Sequence, residues 1–190
     1  MNPLSVIKRD LKESSKVKIK LLKLAPSIEK TARAVIASLK KGGKVISCGN
    51  GGSASDSQHL VAELVGRFNR EKRPLPAISL TVNTSIITAV GNDYGYDYVF
   101  SKQLEANGKK GDILFAISTS GNAKNVSEAV LCAKKMKIKT IGLTGKNGGR
   151  LAEICDIPLV VPSNSTARIQ EAHITVIHIL CGLIEEAFIQ

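Results

Sequence analysis

KVISCGNGGSASDSQH, residues 44–59, passes from a short apolar run to a glycine-rich turn and then to a polar segment that opens with Ser53. The KKGG at 40–43 stops a preceding helix, so the pattern reads as helix, glycine stop, buried strand, tight turn, helix. Small residues at Gly49, Gly51 and Gly52 let backbone N–H groups approach a ligand closely where the next helix begins.

The same alternation continues outward. PAISL (76–80) is followed by a helical stretch from about Thr84, then DILFAIS (112–118), a helix near 122–136, KTIGLTG (139–145), a short turn-helix and IPLVV (157–161). Four or five strands separated by helices predict an α/β fold with a mostly parallel sheet covered on both faces, a three-layer α/β/α arrangement. Two helical segments, roughly 3–22 and 26–40, come before it. The segment 166–189 is apolar on more than one side, as a helix inside a bundle would be. The terminal helices predict an oligomer. With 190 residues and 43% hydrophobic content, the expectation is one domain over 1–190: an N-terminal helical pair at 1–40 and an α/β body at 41–190.

Composition narrows the function. The N-terminal residues lack a continuous apolar segment with a small-residue cleavage site, and no run of about eighteen apolar residues occurs, which argues for a cytoplasmic protein and against membrane insertion. Cys48, Cys132, Cys155 and Cys181 have no CxxC spacing and sit mostly in apolar segments, as buried structural thiols do. The net charge of +11 has a local excess of five in residues 1–30, with Lys8, Lys12, Lys16 and Lys20 in a stripe whose helix carries Leu4, Ile7 and Leu11. No aromatic residue stands in the first sixty positions, so the stripe reads as a solvated helix face and not as a nucleic-acid platform.

A second turn, Ser118-Thr119-Ser120-Gly121, follows the apolar DILFAIS, with a helix starting near Asn122. Hydroxyls and helix N-terminal amides together suit a phosphate group. Both turns lie where ligands bind open α/β sheets, beyond the carboxyl ends of the strands. His59 and Glu63, four apart, share a helix face on which they can bind one metal or act on one substrate, and Arg67 continues the row. In TARIQEAHITVIH (166–178), Gln170, Ile174 and His178 form another four-spaced row. His178 and Gln170 lie about 80° apart around the helix and His173 about 140° from His178, so His173 is assigned a structural or interfacial role.

On these residues the chain resembles the sugar-isomerase (SIS) domain family, and within it the phosphoheptose isomerases. GNGGSASDSQH, AELVGRF, GNDYGYD, STSGN, LTGKNGG and TARIQEAH fall in family order over nearly the whole length. The resemblance implies isomerisation of D-sedoheptulose 7-phosphate by a homotetramer with sites between subunits. It implies one zinc per subunit held by His59, Glu63, Gln170 and His178. Substrate contacts carry over onto Asn50, Gly51, Gly52 and Ser53, Glu63 and Arg67, Asn92 and Asp93, Ser118, Thr119 and Ser120, and Gln170. Ala123 and Ala167 depart from the pattern where some members have a phosphate-contacting serine and an aspartate near the sugar.

Aldose–ketose interconversion needs a base at carbon and an acid–base group at oxygen, roles that suit Glu63 and His178. Two other readings compete. One is a non-catalytic scaffold of the same family that binds the replication initiator protein; it lacks the counterparts of Glu63 and His178. The other is an isomerase of a different phosphosugar; the sequence has no amide-transfer domain. A transcriptional regulator would need a helix-turn-helix module for which forty residues before the first strand are too few.

Overall fold

The structure is a computed structural model and describes residues 2–189. Five strands, β1 (Val45–Gly49), β2 (Ala77–Ser79), β3 (Ile113–Ser118), β4 (Lys139–Gly145) and β5 (Ile157–Val161), form one sheet in the order β2-β1-β3-β4-β5. All four pairings are parallel, with Val45 level with Ile113 and Ile113 level with Lys139. Side chains of β1 and β3 are buried along their whole length, because a parallel sheet is covered on both faces and its central strands meet no water.

Alternation along β3 divides the core. Ile113, Phe115 and Ile117 face one layer, built on α2 (Ala25–Lys40), α3 (Gly52–Val65) and α8 (Thr166–Glu186). Leu114 and Ala116 face the other, with α5 (Val99–Asn107) and α6 (Lys124–Lys135). The chain leaves β1 toward β2 and later runs from β3 toward β5, so the sheet order reverses between β1 and β3. The loops after those two strands diverge there and leave a crevice, the place where doubly wound sheets bind ligands.

The helical boundaries show where local signals are overridden. α1 (Pro3–Lys20) runs through a 3-10 turn at Leu21–Leu24 into α2 without a loop. Proline near the start of each helix supplies a preset φ at a position needing no N–H partner. α6 begins at Lys124, two residues after the point expected, because Gly121 takes φ +69° and Ala123 is extended. α4 (Thr84–Tyr94) begins as expected, α7 (Gly149–Ile154) is the short turn-helix, and α5 was not separated from its neighbours by sequence pattern. Leu4, Ile7 and Leu11 of α1 are exposed, as are Lys8, Lys12, Lys16 and Lys20.

α3 is fixed to the sheet by a buried chain of hydroxyls. Ser57 Oγ donates to Ser47 Oγ at 2.8 Å and meets Ser79 Oγ at 2.8 Å, joining the helix to β1 and β2. On α8, His173 is fully buried, and its Nε2 donates to the Thr144 carbonyl of β4 at 3.0 Å. Its Nδ1 has no partner among the described residues. Burial pushes this imidazole's pKa down to about 4, against the smaller upward pull of the Thr144 hydrogen bond. The unfolded chain takes up that proton near pH 6.5, so stability from the neutral His173 is full above that pH and is lost as pH falls toward 4. The chain should lose about 2 kcal/mol between pH 7 and pH 5 through this group. Denaturant midpoints for the parent and for His173→Gln should therefore converge as pH falls; parallel curves would contradict the assignment.

Candidate active site

Two sets of side chains meet beside α3 and α8. The first is a polar cradle at the crevice between β1 and β3, a cavity of about 210 Å³ lined by Asn50, Ser53, Ser118, Thr119, Ser120 and Gln170, with Ile117 and Ala123. Gly51, at φ +54°, turns the chain from β1 into α3, a conformation that side chains with a Cβ resist. Gly52 is needed for a different reason: a Cβ there would collide with the Gln170 amide. Gly121 is needed as well, since a Cβ would run into the backbone of Gly148. The two loops are joined by a reciprocal amide pair, Asn50 Nδ2 to Asn125 Oδ1 and Asn125 Nδ2 to Asn50 Oδ1, each 2.9 Å. Asn125 is 3% exposed, and the Tyr96 hydroxyl adds a donor to Asn50 Oδ1 at 3.3 Å.

The second set is His59, Glu63 and His178, whose ligand atoms all lie within 4.8 Å of one another. His59 Nε2 is 3.0 Å from Glu63 Oε1 and 3.1 Å from His178 Nε2. In a tetrahedral zinc site with metal–nitrogen bonds near 2.05 Å, ligand atoms stand about 3.3 Å apart, so the spacing and the N/N/O donor set both fit that ion. The Phe68 ring packs beside the His178 ring, centroids 5.5 Å apart. One turn before His59, Asp56 is buried with its Oδ2 unpartnered among the described residues, and burial raises its pKa to about 6, more than the charge of His59 lowers it.

Of the residues singled out in the sequence, Asn50, Ser53, Ser118, Thr119, Ser120 and Gln170 are brought together in the cradle, and His59, Glu63 and His178 in the cluster. Gln170 lies on α8 a little over two turns before His178. Its amide packs on Gly52. Arg67 is exposed and pairs with Glu71 at 3.3 Å, and Asn92 donates to its neighbour Asp93 at 2.8 Å at the exposed end of α4. None of these three lines the cavity. Sequence reasoning missed Asn125, Tyr96, Phe68 and Asp56. Tyr96 and Phe68 lay inside motifs already quoted, GNDYGYD and AELVGRF, whereas Asn125 carried no signal beyond its place in the first turn of a helix following STSGN.

The SIS domain model matches residues 13–145. A phosphoheptose isomerase of Rhodospirillum rubrum is 55% identical over 169 residues, 89% of this chain and 90% of that protein. One of Campylobacter concisus is 53% identical over 184 residues, 97% of each. The solved structure of a phosphoheptose isomerase from Neisseria gonorrhoeae superposes with a TM-score of 0.93 at 43% identity, covering 97% of this chain and all of that one. The chain belongs to the SIS domain family and, within it, to the phosphoheptose isomerases, a group of isomerase enzymes.

The amide pair across the crevice makes a direct prediction. Asn50→Ala and Asn125→Ala should each destabilise the fold, and their double-mutant cycle should show coupling of about 1 kcal/mol or more, read from denaturant midpoints. Additive effects would show that the two amides do not hold each other.

Proposed function

We propose that the chain interconverts D-sedoheptulose 7-phosphate and D-glycero-D-manno-heptose 7-phosphate, an early step toward activated heptose, and that the whole of residues 1–190 acts as one domain in doing so. The observation that carries this reading is the pairing of an anion cradle with a His/Glu/His cluster on the same two helices, α3 and α8. The relatives' name, phosphoheptose isomerase, supports a heptose phosphate as substrate.

In this reading the phosphate sits against Ser118, Thr119 and Ser120 and the N-terminal amides of α6, whose helix dipole favours negative charge. Asn50, Gly51, Gly52, Ser53 and Gln170 border the sugar, and the C1–C2 end faces the cluster. Glu63 removes a proton from C1 of the ketose while O2 gains one, giving an enediol. O1 then gives up its proton as the C1 carbonyl forms, and Glu63 returns the carbon-bound proton to C2. His178 handles the protons at oxygen. A carboxylate has two oxygens, so Glu63 can face His59 with Oε1 and keep Oε2 for the proton.

His59, Glu63 and His178 would hold zinc, with the fourth position going to Gln170. As a ligand Gln170 would turn its amide away from Gly52; its position in the cradle supports a sugar contact. Zinc supplies Lewis-acid stabilisation of charge developing on the sugar oxygen, or fixes the side chains around it.

The assembly is a homotetramer with sites at subunit interfaces, in which Arg67, Asn92 and Asp93 reach substrate. Exposed Leu4, Ile7 and Leu11 on α1 and Ile179 and Leu183 on α8 support such burial between copies. A cytoplasmic location is supported by four buried free cysteines. No helix among the described residues is long and apolar enough to cross a membrane. Nucleic acid has no part in this reading, since the lysine stripe on α1 is exposed and no aromatic residue stands in the first sixty positions to interleave with it.

Purified protein given sedoheptulose 7-phosphate should form the aldose, followed by NMR; it should stop when chelated and resume with zinc. Glu63→Gln should lower turnover by about 10²-fold or more with the fold intact. Near-normal turnover of that variant would remove Glu63 as the base, and turnover indifferent to chelation would remove zinc.

A further inference from the structure

The loop that leaves α3 is gripped by a charge that the reaction does not use. Glu185, near the end of α8, is 2% exposed. Its Oε1 accepts the N–H groups of Phe68 at 3.0 Å and Asn69 at 3.2 Å, and its Oε2 those of Asn69 at 2.9 Å and Arg70 at 3.0 Å. Lys72 completes the grip, donating to the carbonyls of Leu64 at 2.8 Å and of Gly66, which end α3. Burial by itself pushes the Glu185 pKa up, but the amides of Asn69, Phe68 and Arg70 and the charge of Lys72 hold it below the usual carboxylate range. A charge buried at that depth persists only when its lone pairs are filled.

The gripped loop carries Phe68. Its ring lies 5.5 Å from the His178 ring, centroid to centroid, on the side of α8 where Gly182 stands one turn beyond His178. A Cβ at Gly182 would already sit 3.6 Å from the ring edge, so any larger side chain there would push the ring. The His178 ring also meets His59, 5.0 Å between ring centroids.

We propose that Glu185 is a positioning residue for the isomerisation: by holding the backbone of Phe68, Asn69 and Arg70 it seats the Phe68 ring against His178 and so fixes the imidazole toward His59 and Glu63. This rests on His178 being the reacting group assigned above. The neighbouring Glu186 supplies the control, since it is exposed and meets the same loop through an ion pair with the Arg70 side chain at 3.5 Å.

The chain has three histidines, so their imidazole NMR signals can be assigned one by one, with buried His173 as the internal reference. With zinc added, Glu185→Gln should shift or broaden the His178 signals and leave those of His173 in place. It should lower kcat by about 10-fold or more, as loss of an outer support does, with KM within about twofold because the cradle residues are not in the 68–70 loop that Glu185 holds. Phe68→Leu should reproduce both effects with Glu185 intact, and Glu186→Gln should produce neither. If Glu185→Gln does not fold, Phe68→Leu decides. His178 signals and kcat unchanged in Phe68→Leu would overturn the proposal, as would His173 moving together with His178 in Glu185→Gln. A parent protein that fails to convert sedoheptulose 7-phosphate would retire the isomerase reading, and the NMR comparison would still decide the grip on Phe68.

Discussion

The packing of α3 against α8 is the constraint from which the site follows. Each cluster residue adjoins a core residue: Leu60 follows His59, Leu64 follows Glu63, and Ile177 precedes His178, all of them buried in one apolar cluster with Val176, Leu180 and Cys181. Removing these apolar surfaces from water is favourable by about 1.5–3 kcal/mol per side chain. The polar neighbours are thereby carried to the rim, where their ligand atoms converge. An imidazole, a carboxylate and a second imidazole on a single helix would not meet in this way. Two rigid helices, each anchored by its own buried stripe, bring them within hydrogen-bonding distance.

The same contact accounts for the cradle. α3 begins at the glycine turn after β1, and the absence of a Cβ at Gly52 lets the Gln170 amide of α8 lie over it. The buried hydroxyls of Ser47, Ser57 and Ser79 fix the helix to the sheet from below. The amide pair Asn50–Asn125 ties that turn to the second loop across the point where strand order reverses. In the proposed reading the phosphate meets the Ser118–Ser120 loop ahead of α6, while α3 borders the sugar with its first turn and carries the His59–Glu63 row farther along.

Much of this is legible in the sequence, for physical reasons that differ from element to element. The strands are visible because KTIGLTG and IPLVV are short apolar runs closed by glycine or flanked by turns, and β4 and β5 occupy those residues. The pairing of His59 with Glu63 follows from helical period alone, and the separation of His173 from His178 follows from counting angles around a helix. What sequence could not show depends on contacts between distant segments. Asn125 matters only because Asn50 faces it from 75 positions away. Phe68 and Glu185 are 117 positions apart. The division of 84–107 into α4 and α5 turns on Gly95 at φ +92° and a 3-10 turn at Tyr96–Tyr98, signals too short for a periodic pattern. Arg67, Asn92 and Asp93 were grouped with the site by motif, and within one chain they pair with neighbours at the surface.

In the proposed reading, α3 and α8 together bring His59, Glu63 and His178 to one zinc ion. X-ray absorption at the zinc edge of the metal-loaded protein tests it most directly. The zinc should show a shell of nitrogen and oxygen atoms at about 2.0–2.1 Å with the scattering signature of two imidazoles and no sulfur at about 2.3 Å, falling to one imidazole in His178→Gln. A sulfur-containing shell, or a spectrum indifferent to the loss of His178, would contradict it.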